Sequence, residues 1–241
     1  MAGVEASPPN RIETLGAIEL FKGLTTDELG AIEEAAQLRR FESDAFLYFQ
    51  GDPANYLHVL LEGSVKLSQL TPEGQQVILH YASPGEAFAV IAVLSAMDYP
   101  VSAQAAEDSL TLTWGRKAMK ALMLQHPQLA LNALEVLSRR TLEFQDRIRE
   151  LATERVERRI ARALLRLARQ TGRKVEEGVL IEMPLSRQDL AEMTGTTLYT
   201  VSRTLSQWES HGLIKSGREQ VTILFPHGLV TIAEDLPERN E

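Results

Sequence analysis

Residues 186–205 read SRQDLAEMTGTTLYTVSRTL, and this stretch restricts the fold more than any other part of the chain. Ser186 is a good N-cap, and Leu190, Ala191 and Met193 give the segment after it an apolar side at helical spacing. Thr194-Gly195-Thr196 then interrupts the pattern. Gly195 can take a positive φ at little cost, and Thr196 or Thr197 can cap a second helix. On that second helix Leu198, Val201, Leu205 and Trp208 share one face, expected to be buried. Tyr199, Ser202, Arg203 and Ser206 share the opposite face, which is polar, rich in donors and free of carboxylates. A lone amphipathic surface helix would give the same wheel. The glycine turn before it and the hairpin pattern after it point instead to a helix-turn-helix, whose second helix enters the DNA major groove.

The hairpin pattern is HGLIKSGREQVTILF. His211-Gly212 ends the helix, since glycine suits the position after the last turn. Leu213-Ile214 and Val221-Thr222-Ile223 read as short strands, joined by a turn at Ser216-Gly217-Arg218-Glu219. Helix-turn-helix plus hairpin is a winged module. Arg218, at the wing tip, either reaches a phosphate or is simply solvated.

A net charge of −8 looks wrong for a DNA binder until it is divided along the chain. Residues 153–231 carry 12 Lys/Arg against 9 Asp/Glu, whereas residues 1–152 carry 12 against 20 and residues 232–241 carry 1 against 4. The segment with the helix-turn-helix is therefore mildly basic. That suits salt-dependent phosphate contacts without strong non-specific affinity. The 241 residues contain no cysteine, which excludes disulfides, thiolate-held iron–sulfur clusters and thiol redox sensing, and fits a cytoplasmic location. No apolar run is long enough to span a bilayer, so no membrane partner is expected.

Residues 11–40 are expected to be helical, with Thr25-Thr26-Asp27-Glu28 as a capping box. From 41 to 114 the pattern changes to short β-rich runs: Phe46–Phe49, Tyr56–Leu61, Val65–Leu70, Val77–Tyr81 and Leu110–Trp114. Gly51, Gly63, Gly74 and Gly85 mark turns between them, which suggests a small antiparallel barrel or roll. Pro127 opens a long helix on which Ala130, Leu134, Leu137, Thr141, Phe144, Ile148 and Leu151 alternate spacings of four and three. Such a stripe is narrower than a core-facing helix needs and reads as a parallel dimer seam; packing on its own domain is the other reading. The heptad pattern stops at Ala152–Glu154. A new helix follows, in which Arg155, Arg158, Arg159, Arg162 and Arg166 read as solvated and salt-bridged rather than as a DNA face.

The expected α+β chain thus has a disordered lead-in (1–13), a β-roll sensor domain (14–126), a dimerisation helix (127–152), a winged helix-turn-helix (153–232) and an acidic tail (233–241). This order resembles the cyclic-AMP receptor protein/FNR superfamily of transcription regulators. The resemblance rests on the glycine spacing of the roll, on LEGSVKL at 61–67 and on DLAEMTGTTLYTVSRTL at 189–205. It implies a cyclic-nucleotide-binding-domain-like roll and a homodimer on double-stranded DNA that contacts RNA polymerase. In that family the recognition helix usually carries Glu, two residues, Ser or Gly, then Arg. Ser202 and Arg203 match, and Tyr199 stands in place of the Glu. The resemblance implies base reading by Tyr199, Ser202 and Arg203, and phosphate contacts from Arg187, Thr197, Thr200 and Arg218. Tyr199 cannot accept from cytosine N4 as Glu does, so the half-site should depart from the family's usual one.

The effector pocket departs further. Members that bind cyclic nucleotide carry Gly-Glu and Arg-Ser or Arg-Thr pairs there. This chain has Ala89-Val90 and, after Pro100, Val101-Ser102. With no arginine for the phosphate, cyclic AMP is not expected to bind tightly. FAVIAVLSAMDYPVSAQAA looks closest to the Dnr-type, nitric-oxide-responsive branch. His58 and His80 lie on expected strands, as haem ligands or as structural histidines; the remaining occupant is a small apolar ligand or none. Two further readings are an effector-independent DNA-binding dimer and a metal-dependent, cupin-like enzyme. The roll lacks the His-x-His pair and following Glu that the enzyme would need, so no catalytic residue and no metal site is assigned.

Overall fold

The computed structural model describes residues 11–236; the first ten residues and residues 237–241, with most of the expected tail, lie outside the described residues. Helix α1 (Arg11–Ala17) already includes Arg11–Glu13, so the expected lead-in ends earlier than position 13. Ile12 packs on the core and Arg11 pairs with Glu33 at 3.1 Å, which holds that first turn. Helix α2 (Thr26–Glu34) carries the expected capping box: Thr25 Oγ1 accepts from the Glu28 amide, and the Glu28 carboxylate accepts from the Thr25 amide at 2.7 Å. The helical expectation fails at its end, because Gln37–Phe41 is strand β1. Tertiary pairing with the last strand of the roll overrides local propensity there.

The roll continues with β2 (Phe46–Tyr48), β3 (Tyr56–Glu62), β4 (Val65–Leu70), β5 (Gln76–Ala82) and β6 (Ala87–Phe88). Then come α3 (Val90–Leu94), β7 (Ser102–Ala105) and β8 (Ser109–Gly115). Two four-stranded antiparallel sheets, ordered β1-β8-β3-β6 and β2-β7-β4-β5, make up the roll. Gly63 is required by space as well as by its φ of +85°, since a Cβ would sit 2.5 Å from the carbonyl oxygen of Asp108. Trp114 fixes the N-terminal helices to the roll: its ring lies 5.4 Å from Phe21 and its Nε1 donates to the Ile32 carbonyl at 2.8 Å.

Helix α4 (Arg116–Gln125) leads into α5 (Pro127–Thr153). One side of α5 buries Leu129, Ala133 and Val136 against the roll, and Asn132 donates to the carbonyls of Leu20 and Lys22. The other side leaves Leu134, Phe144, Ile148 and Leu151 exposed; Leu131 and Leu142 are exposed too, but point away from that stripe. At Glu154 the backbone turns extended (φ −104°, ψ 148°) and α5 ends, as expected from the lost heptad.

Beyond the break come α6 (Val156–Thr171), β9 (Gly172–Val175), β10 (Gly178–Ile181), α7 (Arg187–Thr194) and α8 (Leu198–Ser210). The chain closes with β11 (Ile214–Gly217), β12 (Gln220–Ile223) and α9 (Pro226–Glu234). The wing β11-β12 was expected. The hairpin β9-β10, which extends it into a four-stranded sheet, and α9 were not. Ala233 and Glu234 belong to α9, so the expected tail boundary at 233 falls inside a helix: Leu229 and Ala233 are buried, and Glu234 pairs with Arg162 at 3.1 Å. Ile78 and Tyr81 of β5 share a core with α6, α7 and α8, so the roll and the winged module are packed on one another.

Candidate nucleic-acid interface

Ser186 caps α7 through a capping box: its Oγ accepts from the Asp189 amide at 3.0 Å, and Asp189 Oδ2 accepts from the Ser186 amide at 3.0 Å. Gly195 closes α7 with φ +60°, the left-handed conformation that its position in the turn demands. Thr197 caps α8, its Oγ1 accepting from the Thr200 amide at 3.2 Å, and the two hydroxyls lie 3.0 Å apart. Thr197 and Thr200, assigned to phosphate contact, therefore also build the start of α8.

The buried face of α8 is Val201, Thr204, Leu205 and Trp208. Leu198 is not part of it, contrary to expectation: it is 47% exposed, because the core under α8 ends one turn further on. Tyr199 is 74% exposed, Arg203 and Ser206 are exposed and Ser202 is half-buried. Arg203 and Arg218 have no ion-pair partner among the described residues, and both are exposed. Arg187 is half-buried and bonds Ser216 Oγ at 3.2 Å, while Ser216 is held by Glu209 of α8. That chain of bonds ties α7, α8 and the wing into one surface.

Arg158, Arg159, Arg162 and Arg166 of α6 make ion pairs or hydrogen bonds within the protein, while Arg155 before the helix is exposed. Glu154 is buried between Arg162 (3.0 Å) and Arg158 (3.8 Å), and Arg166 holds both oxygens of the buried Glu150 at 2.8 Å. Arg159 donates to the carbonyls of Thr194 and Gly195, at the end of α7. From α5, Arg147 donates to the carbonyl of Met193. Between roll and module, Lys66 of β4 lies 3.4 Å from Asp189 of α7. These docking contacts left no signal in the sequence, because each joins residues far apart in the chain.

A cavity of about 670 Å³ opens between the roll, α5 and α6. Ala89, Val90 and Val101 line it, as assigned from the family resemblance. Ser102 does not; its Oγ turns away to accept from the Gln50 amide at 2.9 Å. Leu137, Thr141 and Phe144, expected in a dimer seam, also line it. Thr141 donates its hydroxyl to the Leu137 carbonyl at 2.9 Å. Arg140 of α5 also lines the cavity. It is already bound to Glu86 at 2.6 Å and to His80 at 2.9 Å, and His80 bonds Glu86 at 2.7 Å.

The two candidate haem ligands are not brought together on the cavity. His80 lines it but is committed to Glu86 and Arg140. His58 is buried in the roll, stacked on Phe88 with ring centroids 5.2 Å apart, and its Nδ1 lies 3.2 Å from Thr113 Oγ1. Burial pushes the His58 imidazole down to about 3. An axial His58–His80 pair does not fit this arrangement. On the roll side a cyclic phosphate would meet Ala89, Val90, Val101 and an Arg140 already paired with Glu86; the other arginines of the cavity, Arg147, Arg162, Arg166 and Arg169, come from α5 and α6.

A profile described as a Crp-like helix-turn-helix domain matches residues 158–232, and one described as a cyclic nucleotide-binding domain matches residues 38–126. The chain is similar to the Cyclic AMP receptor protein of Thermus thermophilus, 30% identical over 204 residues that cover 85% of this chain and 91% of that protein. It is similar to the Global nitrogen regulator of Synechococcus elongatus, 29% identical over 204 residues that cover 84% of this chain and 92% of that protein. Among solved structures it resembles a CRP/FNR-family transcriptional regulator from Thermus thermophilus, with TM-score 0.70 and 26% identity over 82% of this chain and 98% of that one.

Proposed function

The chain belongs to the CRP/FNR family of DNA-binding transcription regulators, and from that premise we propose that it acts as a homodimer on a pseudo-palindromic promoter site. Its relatives are regulators rather than enzymes, which sets aside the cupin-like reading of the roll. The observation that carries the proposal is the open face of α8, where Tyr199, Ser202 and Arg203 point away from a complete core. Arg203, exposed on that face, would read guanine through O6 and N7. Arg187, Thr197, Thr200 and Arg218 surround that face as phosphate contacts. Two subunits paired along α5 would present their α8 helices to major grooves about one helical turn apart, roughly 34 Å.

The roll cavity and the α5 seam share Leu137, Thr141 and Phe144, so an occupant of the cavity would touch the residues that face the partner. The apolar roll wall of Ala89, Val90 and Val101 supports a small apolar ligand or none, rather than cyclic AMP or haem, on that side of the cavity. By shifting α5 and the break at Ala152–Glu154 such a ligand would reorient the winged modules, a population shift between two arrangements. The DNA-bound dimer then engages RNA polymerase in the cytoplasm.

The deciding experiment is selection of binding sites from random duplex DNA, run in parallel with Arg203→Ala. A two-fold symmetric site recovered by the wild-type chain and lost by the variant, with dimer mass retained, is the expected result. Identical site preference in the variant refutes the role of Arg203.

A further inference from the structure

Leu198 is the first residue of α8 and is 47% exposed, although Val201, Thr204, Leu205 and Trp208 complete the buried face without it. Its side chain has no place in the core cluster of the winged module or among the partly buried residues packed against that cluster. Beside it stands Tyr199, 74% exposed. The N-terminal turn of this helix therefore presents adjacent apolar and aromatic surface where the rest of the open face is Ser202, Arg203 and Ser206.

Resting on the reading of α8 as the recognition helix, we infer that Leu198 is a further specificity-determining residue, which selects thymine by packing on its C5-methyl group. Residues at the N-terminal end of a recognition helix reach base edges. Along the major groove the thymine methyl is the one apolar group that projects from those edges, where the other bases present chiefly donors and acceptors. Leu198 can do neither. Against thymine it loses exposed apolar surface to a matching group. Against guanine, or against the amino group of cytosine or adenine, it strips water from a polar atom and returns no bond, which is a penalty rather than a mere lack of gain. Leu198 and Ser202 are four residues apart and lie one above the other on the helix, so the thymine falls next to the bases met by Ser202 and Arg203.

The test removes the methyl group alone. Full-length protein is bound, at low salt where phosphate attraction sustains the complex, to the duplex that it selects from random DNA. Each thymine of that duplex is then replaced singly by deoxyuridine. One thymine per half-site should lose about fourfold in affinity for the wild-type chain. Leu198→Ala, truncated at an exposed position and so still folded and dimeric, should bind thymine and deoxyuridine duplexes alike. A specific site with no methyl dependence overturns the Leu198 assignment alone, as does equal methyl dependence in Leu198→Ala. Binding that never exceeds that for random duplex overturns the recognition-helix reading beneath it.

Discussion

Arg147 of α5 donates through Nη2 to the main-chain carbonyl of Met193, in the last turn of α7, at 2.7 Å. The next two carbonyls, of Thr194 and Gly195, accept from Arg159 of α6 at 2.9 and 3.3 Å. Two guanidinium groups thus satisfy the C-terminal end of the first helix of the helix-turn-helix, where the helix dipole favours positive charge. Burial and the neighbouring charge of Arg166 push Arg147 down to about 10, which still leaves it a cation at neutral pH. Helix α5 is thereby bonded directly to the turn that precedes α8. Leu151 adds to the grip: a Cβ on Gly195 would lie 3.1 Å from its Cδ2.

Arg147→Met keeps the apolar stem and removes the bond. The lost charge-assisted hydrogen bond costs about 1.5–3 kcal/mol, partly offset because a half-buried cation no longer has to be desolvated. The expected outcome is faster amide exchange across Leu190–Thr194, with Val201–Trp208 unchanged. Unaltered exchange in α7 would show that Arg147 does not hold it.

Lys66 and Asp189 form the charged contact between the roll and α7, with side chains 19% and 16% exposed. Burial and the Asp189 carboxylate push the Tyr81 phenol upward, so Tyr81 stays a donor beside the pair. Partial exposure limits the pair to about 1 kcal/mol. Lys66→Met leaves Asp189 free to cap Ser186 and removes its counter-charge. A roughly fivefold rise in opening between roll and module is expected, read as faster cleavage at the buried Glu154 by a glutamate-specific protease. An unchanged cleavage rate would assign the docking to the apolar contacts of Ile78 and Tyr81 alone.

His58 gives stability a defined pH dependence. Its folded value of about 3 lies below the ordinary 6.5, so below pH 6.5 the unfolded chain takes up a proton that the folded chain refuses. Stability from this group is whole above pH 6.5 and falls as pH drops toward 3, at up to about 1.4 kcal/mol per pH unit. His58→Gln can keep a polar contact to Thr113 without titrating. The wild-type-minus-variant difference in unfolding free energy should therefore slope downward between pH 6 and 4, by about 1 kcal/mol per unit. Parallel curves would mean that His58 is protonated in the fold.

Local chemistry made most of the fold legible. The caps at Thr25, Ser186 and Thr197, the turn at Gly195 and the break at Glu154 each depend on a few neighbouring residues, and each stands where the sequence put it. Strand β1 and the hairpin β9-β10 were missed because their ordering comes from partners far along the chain, β8 and β12. The site was legible in the same proportion. Tyr199 and Arg203 could be placed from helical periodicity, whereas Leu198 was misplaced because a wheel gives direction and not the length of the core beneath it. Ser102 was misassigned through the resemblance, which gives no information on the Gln50 amide that claims its hydroxyl.

The seam on α5 yields the last prediction. Leu134 is 60% and Ile148 67% exposed, and with Phe144 and Leu151 they form an apolar stripe along one side of the helix. Water contact over such a stripe is unfavourable by about 25 cal/mol per Å², and a second α5 in parallel covers it with matching residues. Ile148 touches neither core, so a charge there leaves the subunit intact and acts only across the seam. Ile148→Asp places two carboxylates near each other on paired helices. Sedimentation should show the wild-type chain as a dimer and Ile148→Asp as a monomer with unchanged far-ultraviolet circular dichroism. DNA affinity should fall by at least tenfold, since each half-site is then bound alone. A variant that remains dimeric would place the subunit contact elsewhere and return the stripe to a partner of another kind.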